Sequence, residues 1–255
     1  MTGLALVGHQ FRYDQKAFWR NPASVFFTVM FPVVLFLILG LVFNGETVAV
    51  RGGIEATSYY VPAIISLAII SATMQTLAMT LVIAREDGRL KRGRGTPMPP
   101  WVFIAGRIGN SIVVALMMLV LLATIGALLF GVDIPWGRLP AVLLVLFVGA
   151  ASFCCLGIAL TAAIPSQDAA AAIVNALLLP LYILSFIPDE DHLPNGVIAF
   201  ADFFPVRHLF EAFFDAYVPD GGAAVSWGNL AIVALWGVAG LLLAIRYFRW
   251  TPRSG

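Results

Sequence analysis

Few residues in this 255-residue chain could do chemistry, and they fall into three groups. His208, Glu211 and Asp215 stand at i, i+3 and i+7. That spacing puts an imidazole and two carboxylates on one helix face, as a metal site or an intramembrane hydrolase would require. His192 follows Asp191 a short way upstream, but no His-Glu-x-x-His pattern accompanies them. The same spacing describes the solvated face of an amphipathic helix, and the sequence favours that plainer reading. The second group is Ser66, Thr73 and Thr80 at seven-residue intervals, with Gln75 and Thr76 between them and Asn175 farther along. The first three share one face of a regular helix. Set in apolar runs, these side chains either line a substrate path or hydrogen-bond between helices, and the sequence leaves both open. The third is basic: Arg85, Arg89, Lys91, Arg92 and Arg94 crowd around Glu86 and Asp87 between two long apolar runs. Such a loop, about 85–101, belongs at a membrane surface, where it can meet a soluble partner or lipid headgroups.

Other chemistry is excluded. A phosphate-binding loop needs a Gly-Lys-Ser/Thr core, so that backbone amides cradle the phosphates and the lysine meets their charge. The only lysines, Lys16 and Lys91, follow Gln15 and Leu90. The chain is therefore not expected to bind or hydrolyse ATP through such a loop, and no catalytic residue, metal ligand or directly bound cofactor is assigned. No apolar run carries a central Asp, Glu, Lys or Arg, which weighs against an ion-coupled transporter. Cys154 and Cys155 are adjacent inside an apolar run and read as small buried side chains.

The elements that position these groups follow from composition. Apolar residues make up 60% and charged residues 11%, against roughly 45–50% apolar in soluble domains. The fold class is all-α integral membrane protein. Apolar stretches predict six spans at about 24–43, 59–84, 103–130, 139–164, 169–187 and 227–248, within a single permease domain over 1–255. Ahead of them, residues 4–19 mix Leu4, Val7, Phe11 and Phe18 with His9, Arg12 and Lys16, the pattern of an amphipathic helix lying in the interface. The run Val25 to Phe43 is longer than the ~7–15 residues of a signal-peptide core, so it is retained as span one. Pro32 predicts a kink there. In span four, Gly149, Ser152 and Gly157 predict close helix approach. Residues 188–226 are acidic yet keep apolar stretches, which predicts short interfacial or re-entrant helices.

Six spans put the N-terminus, the 85–101 loop, the Pro165 turn and the C-terminus on one side. That side collects Arg12, Lys16, Arg20, Arg85, Arg89, Lys91, Arg92, Arg94, Arg107, Arg246, Arg249 and Arg253, leaving Arg51, Arg138 and Arg207 opposite. By the positive-inside rule the first side is cytoplasmic and 188–226 is external.

A resemblance joins these features. The run Ala84-Arg-Glu-Asp-Gly-Arg-Leu-Lys-Arg-Gly-Arg-Gly-Thr-Pro97, followed by Ile104-Ala-Gly-Arg-Ile, resembles the stretch after the second span in membrane subunits of the type 2 ABC transporter family. Arg85, Glu86, Gly88, Leu90, Thr96 and Pro97, with Gly106-Arg107, occupy the places that the family pattern gives to Arg-Glu, a Gly-hydrophobic pair, Thr-Pro and a Gly-Lys-like dipeptide. Arg20-Asn-Pro, Phe31-Pro32 and Phe204-Pro-Val-Arg-His-Leu-Phe-Glu211 are similar to the same family. The density of arginine and glycine from Arg89 to Gly95 departs from its more apolar pattern.

The resemblance implies a permease of a bacterial cell-membrane exporter, most like antibiotic-resistance systems, that pairs with a second permease copy and docks two copies of a separate ATPase. ATP and Mg would be bound by that ATPase. Arg85, Glu86, Gly88, Leu90, Thr96 and Pro97 would couple to it, with Leu90 offered to a groove on its surface. Ser66, Thr73, Gln75, Thr76, Thr80 and Asn175 would line the path of a hydrophobic or amphipathic substrate. Lipid is the surrounding partner, and no nucleic acid is expected.

Overall fold

The computed structural model describes residues 3–48, 53–90, 100–185, 194–218 and 223–248. Among these, regular structure is helical apart from a small hairpin pairing Thr47–Val48 with Ile54–Glu55. In chain order the helices are α1 (Gly3–Trp19), α2 (Pro22–Val25), α3 (Phe31–Val42), α4 (Ala56–Ile70), α5 (Thr76–Glu86), α6 (Pro100–Phe130), α7 (Leu139–Leu160), α8 (Gln167–Ser185), α9 (Asn195–Phe203), α10 (Pro205–Tyr217) and α11 (Trp227–Tyr247).

The break after α1 falls at Asn21-Pro22, where proline pushes its predecessor out of helical geometry. The Asn21 Oδ1 accepts a bond from the Ser24 amide at 3.3 Å and so caps the next helix. Among the described residues, five helical stretches are long and apolar enough to cross a membrane: Ala56–Glu86, Val102–Phe130, Trp136–Leu160, Gln167–Ser185 and Trp227–Tyr247. The predicted span one is the sixth apolar segment, and its stretch Phe26–Val42 is shorter than these five. Helix 22–42 as a whole reaches ~31 Å at 1.5 Å per residue, close to the ~30 Å hydrocarbon core. Its expected disturbance near Pro32 takes the form of a π-helical turn, Phe26–Met30, just ahead of the proline. Span four ends at Leu160, earlier than predicted, because Thr161–Ala163 form a turn.

The centre of the bundle is the helix α4–α5, continuous through a second π-helical turn at Ser71–Gln75. Every residue from Val61 to Met74 is buried, as befits a helix apolar all round. The small residues of α7 work as expected. A Cβ on Gly157 would lie 2.8 Å from the Met74 carbonyl oxygen, and one on Gly149 would strike Leu209 at 2.5 Å. Across the α7–α11 contact, a Cβ on Gly240 would stand 2.9 Å from the Leu156 amide nitrogen. Lipid tails offer little hydrophobic drive for helix association, so this close packing is a main source of cohesion.

Between α8 and α11 the predicted short helices are present as α9 and α10. Helix α10 goes deeper than an interfacial helix. Val206, Leu209, Phe210, Phe213 and Phe214 are all buried, and α10 packs on α4, α7, α8 and α11.

Candidate functional site

The basic loop begins with a staple. Arg85 is 2% exposed, although it closes an amphipathic helix end next to a run of surface charges. Its Nη1 donates to the Thr161 carbonyl at 2.9 Å, its Nη2 to the Ile164 carbonyl at 2.8 Å and more weakly to Pro165 at 3.5 Å, and its Nε to Glu86 Oε1 at 2.8 Å. The accepting carbonyls lie in the turn just past the C-terminus of α7, where the helix dipole is negative and the last carbonyls lack helical partners. A guanidinium suits this place because its planar fork of donors can serve several acceptors at once. Arg85 is thus a tie between the end of α5 and the α7–α8 turn, which corrects the expectation that it faces a partner.

The helix stops after Glu86 as predicted. Gly88 takes φ +67°, a left-handed conformation that glycine adopts without steric cost. Arg89 pairs with Asp87 at 2.9 Å, both about half exposed. Leu90 departs from expectation: it is 2% exposed, so its side chain is not offered to a partner's groove. Burial removes far more apolar area from water than display would, and a leucine able to turn inward does so. Thr96 and Pro97, like Lys91, Arg92 and Arg94, lie outside the described residues.

The six candidate path residues do not form one stripe. The π-helical turn at Ser71–Gln75 inserts about one extra residue, which rotates everything beyond it by ~100° relative to Ser66. Ser66 and Thr73 are fully buried and donate to carbonyls of their own helix, Pro62 and Ile69, at 2.8 and 2.7 Å. They are packing residues that satisfy themselves locally. Thr80 bonds back to the Thr76 carbonyl at 2.8 Å. Thr76 spends its only proton on the Ser71 carbonyl at 2.8 Å, so Thr28 is the donor in the 2.9 Å hydroxyl contact between Thr28 and Thr76. That bond joins span one, within its π-helical turn, to span two just past its own.

Gln75 and Asn175 are different. The Gln75 Nε2 donates to Asn175 Oδ1 at 2.9 Å, linking span two to span five, and both side chains are half-buried. Gln75 Oε1 and Asn175 Nδ2 have no further partner among the described residues. The outer faces of the 22–42 helix and of α8 are apolar, with Phe27, Ile38, Leu41, Leu179 and Ile183 exposed. A half-open amide pair on two apolar spans is where a covering surface or a passing polar group would be favoured.

His208, Glu211 and Asp215 share α10 without forming a metal centre. The His208 ring nitrogens are engaged by Asn229 Oδ1 and by the Asp202 carbonyl, each at 2.8 Å. The Asp215 carbonyl accepts from Arg138 at 3.0 Å. No group of three His, Cys, Asp or Glu side chains among the described residues is arranged to hold a metal ion. The face expected to be solvated is only half open, because the helix is sunk into the bundle. Two contributors escaped the sequence reading, Thr28 and the polar face that Asn110 and Ser111 form with Arg107. The second carries a signal, since i, i+3 and i+4 fall on one face at the start of an otherwise apolar helix.

Compared with known families, residues 7–218 match the sequence model of the ABC-2 type transporter. A comparison with characterised proteins gave no match. The match begins in the interfacial helix α1, takes in the staple and the Gln75–Asn175 pair, and runs to the end of α10. Transporters of this kind work with an ATP-binding subunit, and their membrane component performs no catalysis of its own. Apolar helices, a basic loop anchored to the bundle and this match agree, and the chain belongs to the ABC-2 type transporter family as a multi-pass permease subunit.

Proposed function

We propose that this chain is the membrane subunit of an ATP-driven exporter in a bacterial cell membrane, moving a hydrophobic or amphipathic substrate such as a drug, an antibiotic or a lipid-like molecule outward. Two copies face one another, each served by one copy of a separate ATPase that binds ATP and Mg. Six spans place both termini and the 85–101 loop in the cytoplasm.

The observation that carries the reading is the Arg85 staple. Because Arg85 holds the α7–α8 turn to the end of α5, a force on the basic loop is delivered to span two and span five together. Those are the two spans that Gln75 and Asn175 join. Movement at the ATPase therefore has a stiff route to that half-buried amide pair. Of the residues assigned to coupling, Glu86 and Gly88 keep that role, with Thr96 and Pro97 completing the loop. Arg85 and Leu90 support it from inside.

The test is transport into inverted vesicles that contain the chain and its ATPase. ATP-dependent uptake of an amphipathic dye, abolished by an ATPase variant unable to hydrolyse ATP, is the expected result. ATP-dependent loss of dye from the vesicle interior would reverse the direction, and ATP-independent uptake driven by an ion gradient would replace the mechanism.

A further inference from the structure

At the basic-loop end of the bundle, α1, α5 and the first turns of α6 enclose a polar cavity of about 190 Å³. That is well above the ~10–15 Å³ that one water needs. Its walls include Asp14, Thr80, Arg89, Arg107 and Asn110. The cavity is built on a close contact. A Cβ on Gly106 would lie 2.6 Å from Gln10 Cγ, so glycine lets α1 lie directly on α6 and close one side.

Two polar atoms of the cavity residues have no partner. Arg107 Nε, a donor, and Asn110 Oδ1, an acceptor, are both buried without a hydrogen bond among the described residues. Asn110 is only 7% exposed. Buried polar groups are nearly always paired, and an orphaned donor and an orphaned acceptor on two residues that line one cavity mark a place for a bound molecule. The Arg107 guanidinium lies 4.6 Å over the Phe103 ring, which holds it in place. Asp14 accepts from Gln10 Nε2 at 3.1 Å and forms no direct ion pair with Arg107 among the described residues. Arg89 at the rim is engaged by Asp87 in an exposed pair, which solvent screening leaves weak and easily exchanged.

The charged groups lining the cavity are two arginines and one carboxylate, an excess of one positive charge. The interfacial helix that bounds it exposes Trp19 and is followed by Arg20, the marks of headgroup depth. We propose that this cavity binds a phosphate ester. Arg107 Nε and the Arg89 guanidinium donate to the phosphate oxygens, and Asn110 Oδ1 accepts from a hydroxyl or ammonium of the same molecule. A singly charged phosphodiester balances the lining charge, and its depth suits the headgroup of a membrane phospholipid. The site does not depend on the transport reading, because binding is measured without ATPase or substrate.

The experiment is native mass spectrometry of the delipidated full-length chain, titrated separately with phosphatidylglycerol, with phosphatidylethanolamine and with inorganic phosphate. The expected result is one phospholipid per chain, with affinity at least tenfold weaker in Arg107→Gln and in the isosteric Asn110→Asp. Arg12→Gln removes an exposed charge of α1 that does not line the cavity and should bind as wild type. Thermal melting confirms that each variant is folded, and Asn110→Asp keeps the test valid should Arg107→Gln misfold. Millimolar phosphate that displaces the lipid assigns the cavity to the phosphate group itself. Failure to displace, with both variants still impaired, assigns it to the intact headgroup. Wild-type affinity in Asn110→Asp, or an equal loss in Arg12→Gln, overturns the proposal.

Discussion

Replacing Arg85 by methionine keeps most of the side-chain volume and removes the charge and every donor. Two strong bonds are lost, to the Thr161 and Ile164 carbonyls at 2.9 and 2.8 Å, together with the 2.8 Å contact to Glu86. Hydrogen bonds from a charged group contribute ~1.5–3 kcal/mol each, so the two carbonyl bonds alone suggest ~3–6 kcal/mol. An independent route gives a similar figure: removing one partner of a buried ion pair costs ~3–5 kcal/mol. Glu86, whose side chain is 10% exposed, loses its Arg85 contact. At ~2–4 °C per kcal/mol for a chain of this size, the melting temperature should fall on the order of 10 °C. The assay is thermal unfolding of the purified full chain in one detergent, run as a cycle with Glu86→Gln and the double variant. Because the Arg85–Glu86 contact is removed by either substitution, the double variant should be more stable than the sum of the single losses implies, by ~1 kcal/mol or more. A melting temperature within ~2 °C of wild type for Arg85→Met would refute the reasoning, since the staple would then contribute no more than a surface pair.

Other outcomes follow from the same geometry. Gly157→Leu should abolish insertion or assembly, because its side chain meets the backbone of Met74 and backbone cannot move aside as a side chain does; yield of monodisperse protein reports it. Gln75→Leu and Asn175→Leu, alone or together, should leave assembly intact and change which substrates stimulate the partner ATPase, whereas Ser66→Ala and Thr73→Ala should change neither; an unaltered substrate profile would make the amide pair a packing contact. In a background lacking Cys154 and Cys155, an impermeant thiol reagent applied to intact cells should label a cysteine at exposed Asp133 and spare one at Arg89; the opposite pattern would invert the topology. Burial raises the Asp14 pKa against the opposing pull of Arg107 and the Gln10 bond. Its folded state therefore holds the proton more tightly, and stability present below the unfolded value is lost as pH rises through the folded one. Asp14→Asn should be more stable than wild type near pH 7, with the difference shrinking as pH falls toward 4, read by melting across that range.

How much of this was legible in the residues varies with the distance over which each feature is decided. Apolar run lengths, the Asn21-Pro22 break, the glycine turn after Glu86 and the small residues of α7 could all be read from the chain, because each depends on neighbours a few positions away or on the bilayer as solvent. Membrane character, helical class and most helix limits therefore came from the sequence by itself. The tertiary structure alone decided which polar groups are working parts. Arg85 looked like its charged neighbours, and it became a staple only because carbonyls 76 and 79 residues farther along were brought to it. Ser66, Thr73 and Thr80 looked like one stripe until a π-helical turn rotated the helix between them. Leu90 and the aromatic face of α10 found cover that no local pattern announces, and the cavity at Arg107 exists because three helices distant in sequence meet there. Backbone hydrogen bonding and burial from water or lipid act locally and leave a local trace. The partner of a buried charge, and the phase of a helix past a π-helical turn, are fixed by packing across the bundle, which no single segment encodes.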